Sequence, residues 1–257
     1  THDIRAVLYT PDGQSLATGS EDRTIRLWNP KTGEPLKLLF TRYDHNICSL
    51  SLSPDGLMLA RGSHNKDIKI WEVTTGTELM TLLGKDEYDH HWSVCVAFSP
   101  DGRHLASGMD IGKIKIWEVL PSGEEKILHN GHWQETEEDS TETRGYFIED
   151  DGGFQKPMDY WIGAMTFTPD AKYLITGSRD QTIKLFEMPQ ATEHRTLKGH
   201  GGWVRSLVVT PDGKVLISSG DDNTIRFWDL QSGRCFRTIK SHTGGVRGIT
   251  LSSDGRR

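Results

Sequence analysis

One short string recurs five times along the chain: TIRLW (24–28), DIKIW (67–71), KIKIW (113–117), TIKLF (182–186) and TIRFW (224–228). The closing aromatics are Trp28, Trp71, Trp117, Phe186 and Trp228, separated by 43, 46, 69 and 42 residues. A repeat at such a period means that the same supersecondary unit is built again and again, each unit burying its apolar face on the next. Within each string apolar and polar residues alternate, the period of a β-strand. Ile25 and Leu27 fall on one face, Arg26 and Trp28 on the other. Large side chains on both faces suit a strand packed between two neighbouring sheets.

A second string has the same rhythm: TPDG (10–13), SPDG (53–56), SPDG (99–102), TPDA (168–171), TPDG (210–213) and SSDG (252–255). Proline presets φ at the first corner of a turn, and glycine accepts φ > 0 at its exit. Apolar stretches flank each copy, such as VRSLVV before Thr210 and VLIS after Lys214, so these are hairpins. Ala171 stands where the other five copies carry glycine, and it is expected to be strained there. A third turn falls five or six residues after four of the aromatics, at Gly33, Gly76, Gly123 and Gly233. Three turns join four strands, so each repeat predicts a four-stranded antiparallel meander.

Residues 199–229, GHGGWVRSLVVTPDGKVLISSGDDNTIRFWD, resemble a WD repeat over nearly their whole length. The resemblance extends over almost all of the chain except roughly residues 133–160. It implies an all-β propeller with blades at 1–41, 42–83, 84–132, 161–199 and 200–240. A sixth blade would begin within 241–257, with VRGITL (246–251) as its inner strand. Such propellers generally have about seven blades, so the resemblance implies part of a larger propeller in a longer chain.

Blade five contains His200, Ser218, Asp222 and Trp228. A motif search reads a hydrolase triad there, but no strained nucleophile elbow flanks Ser218. The resemblance implies a structural tetrad instead: His bonds Asp and Ser, and Ser bonds the indole N–H. Blade one keeps Thr18, Asp22 and Trp28. Blade two offers Arg61, Asn65 and Trp71, with Tyr43 at the His position. Blade three keeps Ser107 and Trp117, has Ile111 for Asp, and has His90 and His91 out of register. Blade four has Thr176, Asp180 and Phe186, and phenylalanine has no indole N–H.

The family resemblance also places a partner-binding face around the channel mouth. The residue before each inner strand faces it: Asp3, Asn46, Trp92, Trp161 and Trp203. So does the residue before each tetrad Asp: Glu21, His64, Asp110, Arg179 and Asp221. Tryptophan is enriched at binding hot spots, which makes the three consecutive indoles the expected anchor.

Charge bears on the partner. The 257 residues carry a formal net charge of −6, against the basic face that a nucleic-acid binder needs. Residues 133–160 hold nine Asp/Glu and two Lys/Arg, a net of −7, leaving +1 for the remainder. This acidic insertion predicts attraction of a basic peptide, histone tails included. Glu149, Asp150 and Asp151 lack the alternating ligand spacing of a calcium loop. His45, His90, His91 and His132 lack the spacing of a zinc site, and no cofactor is expected. Cys48, Cys95 and Cys235 form no redox or metal pair by spacing, which suits reduced thiols in a cytoplasmic or nuclear protein. No apolar run is long enough to span a membrane, and no leader precedes Ile4. The expected function is a non-catalytic protein-interaction scaffold. A propeller hydrolase working at the channel mouth is the alternative, and it would need converging carboxylates or a metal.

Overall fold

The computed structural model describes residues 2–40, 46–63, 67–83, 93–109, 112, 114–119, 125–131, 161–240 and 242–252. Among these residues every regular element is a strand. The first sheet contains β1 (Ile4–Tyr9), β2 (Leu16–Ser20), β3 (Thr24–Trp28) and β4 (Pro35–Phe40). The second contains β5 (Ile47–Leu52), β6 (Met58–Ser63), β7 (Asp67–Glu72) and β8 (Glu78–Leu83). The third contains β9 (Ser93–Phe98), β10 (His104–Met109), β11 (Ile114–Val119) and β12 (Glu125–Gly131). The fourth contains β13 (Ile162–Phe167), β14 (Tyr173–Ser178), β15 (Ile183–Glu187) and β16 (Thr192–Leu197). The fifth contains β17 (Val204–Val209), β18 (Val215–Gly220), β19 (Ile225–Asp229) and β20 (Cys235–Ile239). Each sheet runs in sequence order, and a single bridge, Ser63 with Ser93, joins the second to the third.

All five recurring strings lie in strands, Lys113 of the third being outside the described residues. In the fourth and fifth sheets the strand starts one residue late. Thr24, Thr182 and Thr224 each donate from backbone N–H and hydroxyl to Asp22, Asp180 and Asp222, which puts all three at the junction of turn and strand. The sixth repeat is present in part, and its inner segment, residues 246–251, makes no ladder with the described residues. Val246 N–H donates to Gly220 O at 3.0 Å and Ile249 N–H to Ser206 Oγ at 3.2 Å. The segment that would pair with it, past the 252–255 turn, is outside the described residues.

The hairpin turns follow from their side chains. Thr10 donates its hydroxyl to Asp12 Oδ1 at 2.6 Å, Gln14 N–H donates to the same oxygen at 3.0 Å, and Ser15 N–H donates to Thr10 Oγ1 at 2.9 Å. The hydroxyl and the carboxylate thus satisfy backbone donors that the turn leaves unpaired. Ser53–Asp55, Ser99–Asp101, Thr168–Asp170 and Thr210–Asp212 repeat the device. Ala171 takes φ = 57° in the place where Gly13, Gly56, Gly102 and Gly213 take 67–74°.

Two compact units are present, Thr1–Ser107 with Lys115–Leu128, and Gly108–Ile114 with His129–Arg257. Inside each, one face of a sheet covers the next. In the first unit Ala17, Ile25 and Leu27 pack on Ile47, Leu59 and Trp71. Ile68, Ile70 and Leu82 pack on Val96, Leu105 and Trp117. In the second unit Ile175, Ile183 and Leu185 pack on Val204, Leu216 and Trp228. Close approach requires glycine in the second strand. A β-carbon on Gly19 would lie 2.6 Å from Ile47 Cγ2, and one on Gly177 would lie 2.5 Å from Val204 Cγ1.

Candidate functional site

In a four-strand meander the entry to the first strand and the turn between the second and third lie at the same end. That end carries His200 and Trp203 before β17 and Asp222 between β18 and β19. The TPDG turn and the Gly233 turn lie at the other end.

At the first end, His200 Nδ1 is 2.9 Å from Asp222 Oδ2, and His200 Nε2 is 2.7 Å from Ser218 Oγ. Trp228 Nε1–H donates to Ser218 Oγ at 2.8 Å. One tautomer satisfies every link: Nδ1–H donates to Asp222, and the Ser218 hydroxyl donates to Nε2 while accepting from Trp228. Burial pushes the His200 imidazole below its ordinary pKa; Asp222 opposes this and Arg226 adds to it. Burial raises the Asp222 carboxyl, but Gly201 N–H, Thr224 and His200 outweigh it and hold the group at about 2. At neutral pH the pair is therefore a neutral imidazole and a carboxylate. Ser218 is 0% exposed and Trp228 2%. The serine oxygen has no open line of approach, so it is placed to hold the sheet rather than to attack a substrate.

The other sheets carry parts of this network. Trp28 Nε1–H donates to Thr18 Oγ1 at 2.8 Å. Trp117 Nε1–H is 3.4 Å from Ser107 Oγ. Arg61, buried, replaces the hydroxyl in the second sheet and pairs with Asp67 at 3.2 Å, beneath Trp71. Phe186 is buried in the fourth sheet without an indole.

In the first, fourth and fifth sheets the backbone ties together the two positions expected to face a partner. Glu21 N–H donates to Asp3 O at 3.0 Å, Arg179 N–H to Trp161 O at 2.9 Å, and Asp221 N–H to Trp203 O at 2.9 Å. Trp92, His64, Asp110 and the acidic insertion lie outside the described residues, as do Asn65, Tyr43, Ile111 and Gly123.

A third position went unnoticed in the sequence. The first strand slips register between Ile4 and Ala6, Ile47 and Ser49, Ile162 and Ala164, and Val204 and Ser206. Such a bulge adds an unpaired residue and re-aims its side chain. Arg5 and Arg205 occupy it. Arg5 Nε donates to Glu21 Oε1 at 2.7 Å. Arg205 Nε and Nη2 grip Asp221 at 3.0 and 2.6 Å. The only signal was an Arg two residues after the partner-facing residue, repeated as DIR (3–5) and WVR (203–205).

The Arg–acid pair belongs to the first and fifth sheets; the second carries Cys48 on its bulge, and the fourth differs at both positions. The bulge residue is Gly163, and the acid position is Arg179. The indole of Trp203 fills the vacated space: a β-carbon on Gly163 would lie 2.7 Å from its Nε1. Trp161 and Trp203 lie 5.4 Å apart, tilted by 55°, and both are half-buried. Arg205 sits 3.6 Å over the Trp203 ring and Arg179 5.4 Å from it, so both guanidiniums face the ring's π system.

At the opposite end, between the turns of the fourth and fifth sheets, lies a cavity of about 360 Å³. Tyr173, His194, Lys214, Asp170 and Asp229 line it. Tyr173 and His194 stack at 4.9 Å. Among the described residues no group of three or more His, Cys, Asp or Glu is placed to hold a metal.

The chain matches the model of the WD domain, G-beta repeat, over residues 1–29, 36–72, 81–118, 156–187 and 191–229. The five matches end at Asn29, Glu72, Glu118, Glu187 and Asp229, each one residue past the recurring string, and together they cover most of the chain. This protein belongs to the WD40 repeat family.

Proposed function

We propose that this chain is a non-catalytic interaction platform that engages a protein partner at the tetrad end of its fourth and fifth blades. WD40 repeats serve as protein-interaction scaffolds in general. The observation that carries the specific reading is the Trp161–Trp203 pair, half-buried at 5.4 Å beside Arg179 and Arg205. Aromatic and arginine side chains that are pre-positioned by packing supply contact area at low entropic cost.

The hydrolase alternative has less support. Its serine is sealed, and its hydroxyl is already shared between His200 and Trp228. A preference for a basic partner draws support from the net charge of residues 133–160, whereas Arg179 argues the other way.

The reading is tested by retention of partner proteins on the full chain. Replacing Trp161 and Trp203 together by alanine should abolish specific retention, and Tyr173→Ala, at the opposite end, should leave it. Retention lost only with Tyr173→Ala would move the interface to the cavity between the hairpin turns.

A further inference from the structure

We infer that the tetrad-end surface of blades four and five recognises an acidic peptide segment, a side-chain carboxylate pairing with Arg179 while an apolar neighbour packs on Trp161 and Trp203. This inference rests on the interaction-platform reading above and adds the chemistry of the partner.

The argument is a comparison between repeats. In blades one and five, the partner-facing position before the tetrad aspartate is an acid, Glu21 or Asp221. Each is neutralised by the arginine on the bulge of the same blade, Arg5 or Arg205. These pairs are internally balanced and offer a ligand little net charge. Blade four breaks the pair on both sides. Its bulge residue is Gly163, which has no side chain to pair with anything, and its partner-facing position carries the cation Arg179.

Arg179 forms no ion pair with any carboxylate among the described residues. The acid at the equivalent position of the next blade, Asp221, is held by Nε and Nη2 of Arg205. The neighbouring Asp180 accepts from Thr182. Arg179 is half-buried, and its guanidinium lies 5.4 Å from the Trp203 centroid. An arginine stacked on an aromatic keeps its N–H edge available, and a planar carboxylate matches that edge with two parallel bonds. A cation that is partly desolvated and unpaired is unfavourable until such a group arrives, so the pairing favours the bound state.

Net charge predicts the reverse. A chain of −6 attracts cations over distances set by screening. The two expectations are therefore opposed, and the experiment separates them. Two immobilised pools of random peptides of about ten residues are exposed to the full chain. Each has a central Leu or Phe, flanked by Asp/Glu in one pool and by Lys/Arg in the other. Retained peptides are resynthesised with a fluorophore and titrated by polarisation against the wild type, Arg179→Glu, the milder Arg179→Gln, and Trp203→Ala.

The acidic pool should be retained in preference. Both Arg179 variants should weaken its members by about tenfold or more without shifting the melting temperature, and Trp203→Ala should weaken them as well. If Trp203→Ala weakens binding but basic peptides are preferred, or both Arg179 variants bind as wild type, the acidic-peptide inference is overturned and the platform reading stands. If Trp203→Ala changes nothing, the platform reading at this end falls and takes the inference with it. Retention of neither pool counts against the inference.

Discussion

The indole nitrogen of Trp203 lies 2.7 Å from where a β-carbon on Gly163 would stand. One blade's tryptophan is thus seated in a space that exists only because the previous blade has no side chain on its bulge. Gly163→Ala must push the indole out or shift the backbone carbonyl of Val204, which lies 3.3 Å from the same point. Overpacking of this kind costs about 1–3 kcal/mol. A lower urea midpoint together with altered tryptophan emission is the expected outcome. Wild-type stability and emission would show that the indole is not held there.

Ala171 is the second position where backbone and residue type disagree. Its φ of 57° matches the glycines of the sister turns. Left-handed backbone costs a residue bearing a β-carbon roughly 1–2 kcal/mol, although glycine also loses more entropy on folding. Ala171→Gly should be neutral or stabilising in thermal unfolding, and Gly213→Ala should destabilise. Clear destabilisation by Ala171→Gly would contradict the strain argument.

Ser218→Ala should destabilise by about 1–3 kcal/mol, because it leaves the Trp228 N–H and the His200 Nε2 buried without partners. Thr18→Val removes a single link, from Trp28, and should cost less. Any activity that disappears in Ser218→Ala at unchanged melting temperature would point to catalysis.

Acid should weaken blade five in two steps. The folded His200 has a pKa below the ordinary 6.5, so the unfolded chain takes up the proton first. Stability is therefore whole above about 6.5 and is lost as pH falls from there toward the folded value. Asp222 is held at about 2 against 3.8 unfolded, so its contribution is present above 3.8 and is lost between 3.8 and about 2. That second step is worth about 2 kcal/mol. Urea midpoints measured across pH should show both steps in wild type, and only the lower one, diminished, in His200→Gln. An unchanged profile in the variant would remove His200 from the account.

Much of this was legible in the sequence because it is local and repeated. The alternation in TIRLW set the strand, Pro and Gly set the hairpin, and five copies fixed the register between them. His200, Ser218, Asp222 and Trp228 could be named because the repeat places them at constant offsets. The bulge was not legible. Arg5 and Arg205 look like ordinary alternating polar residues, and only the register slip turns them toward Glu21 and Asp221. The role of Gly163 was hidden for a related reason: the side chain that needs its space belongs to the next blade. The sixth inner strand, VRGITL, is seen only in part, because the segment it would pair with lies outside the described residues. The acidic insertion and Trp92 were chosen from composition and offset, and they lie outside the described residues.

The central claim is that partners dock on the tetrad end through the paired indoles. Its most direct measurement is the dissociation rate of a retained partner from the immobilised full chain, for wild type, Trp203→Ala and Tyr173→Ala. The account predicts a dissociation rate about tenfold or more faster for Trp203→Ala, with the association rate little changed and Tyr173→Ala like wild type. Wild-type dissociation from Trp203→Ala, with faster dissociation from Tyr173→Ala, would contradict it.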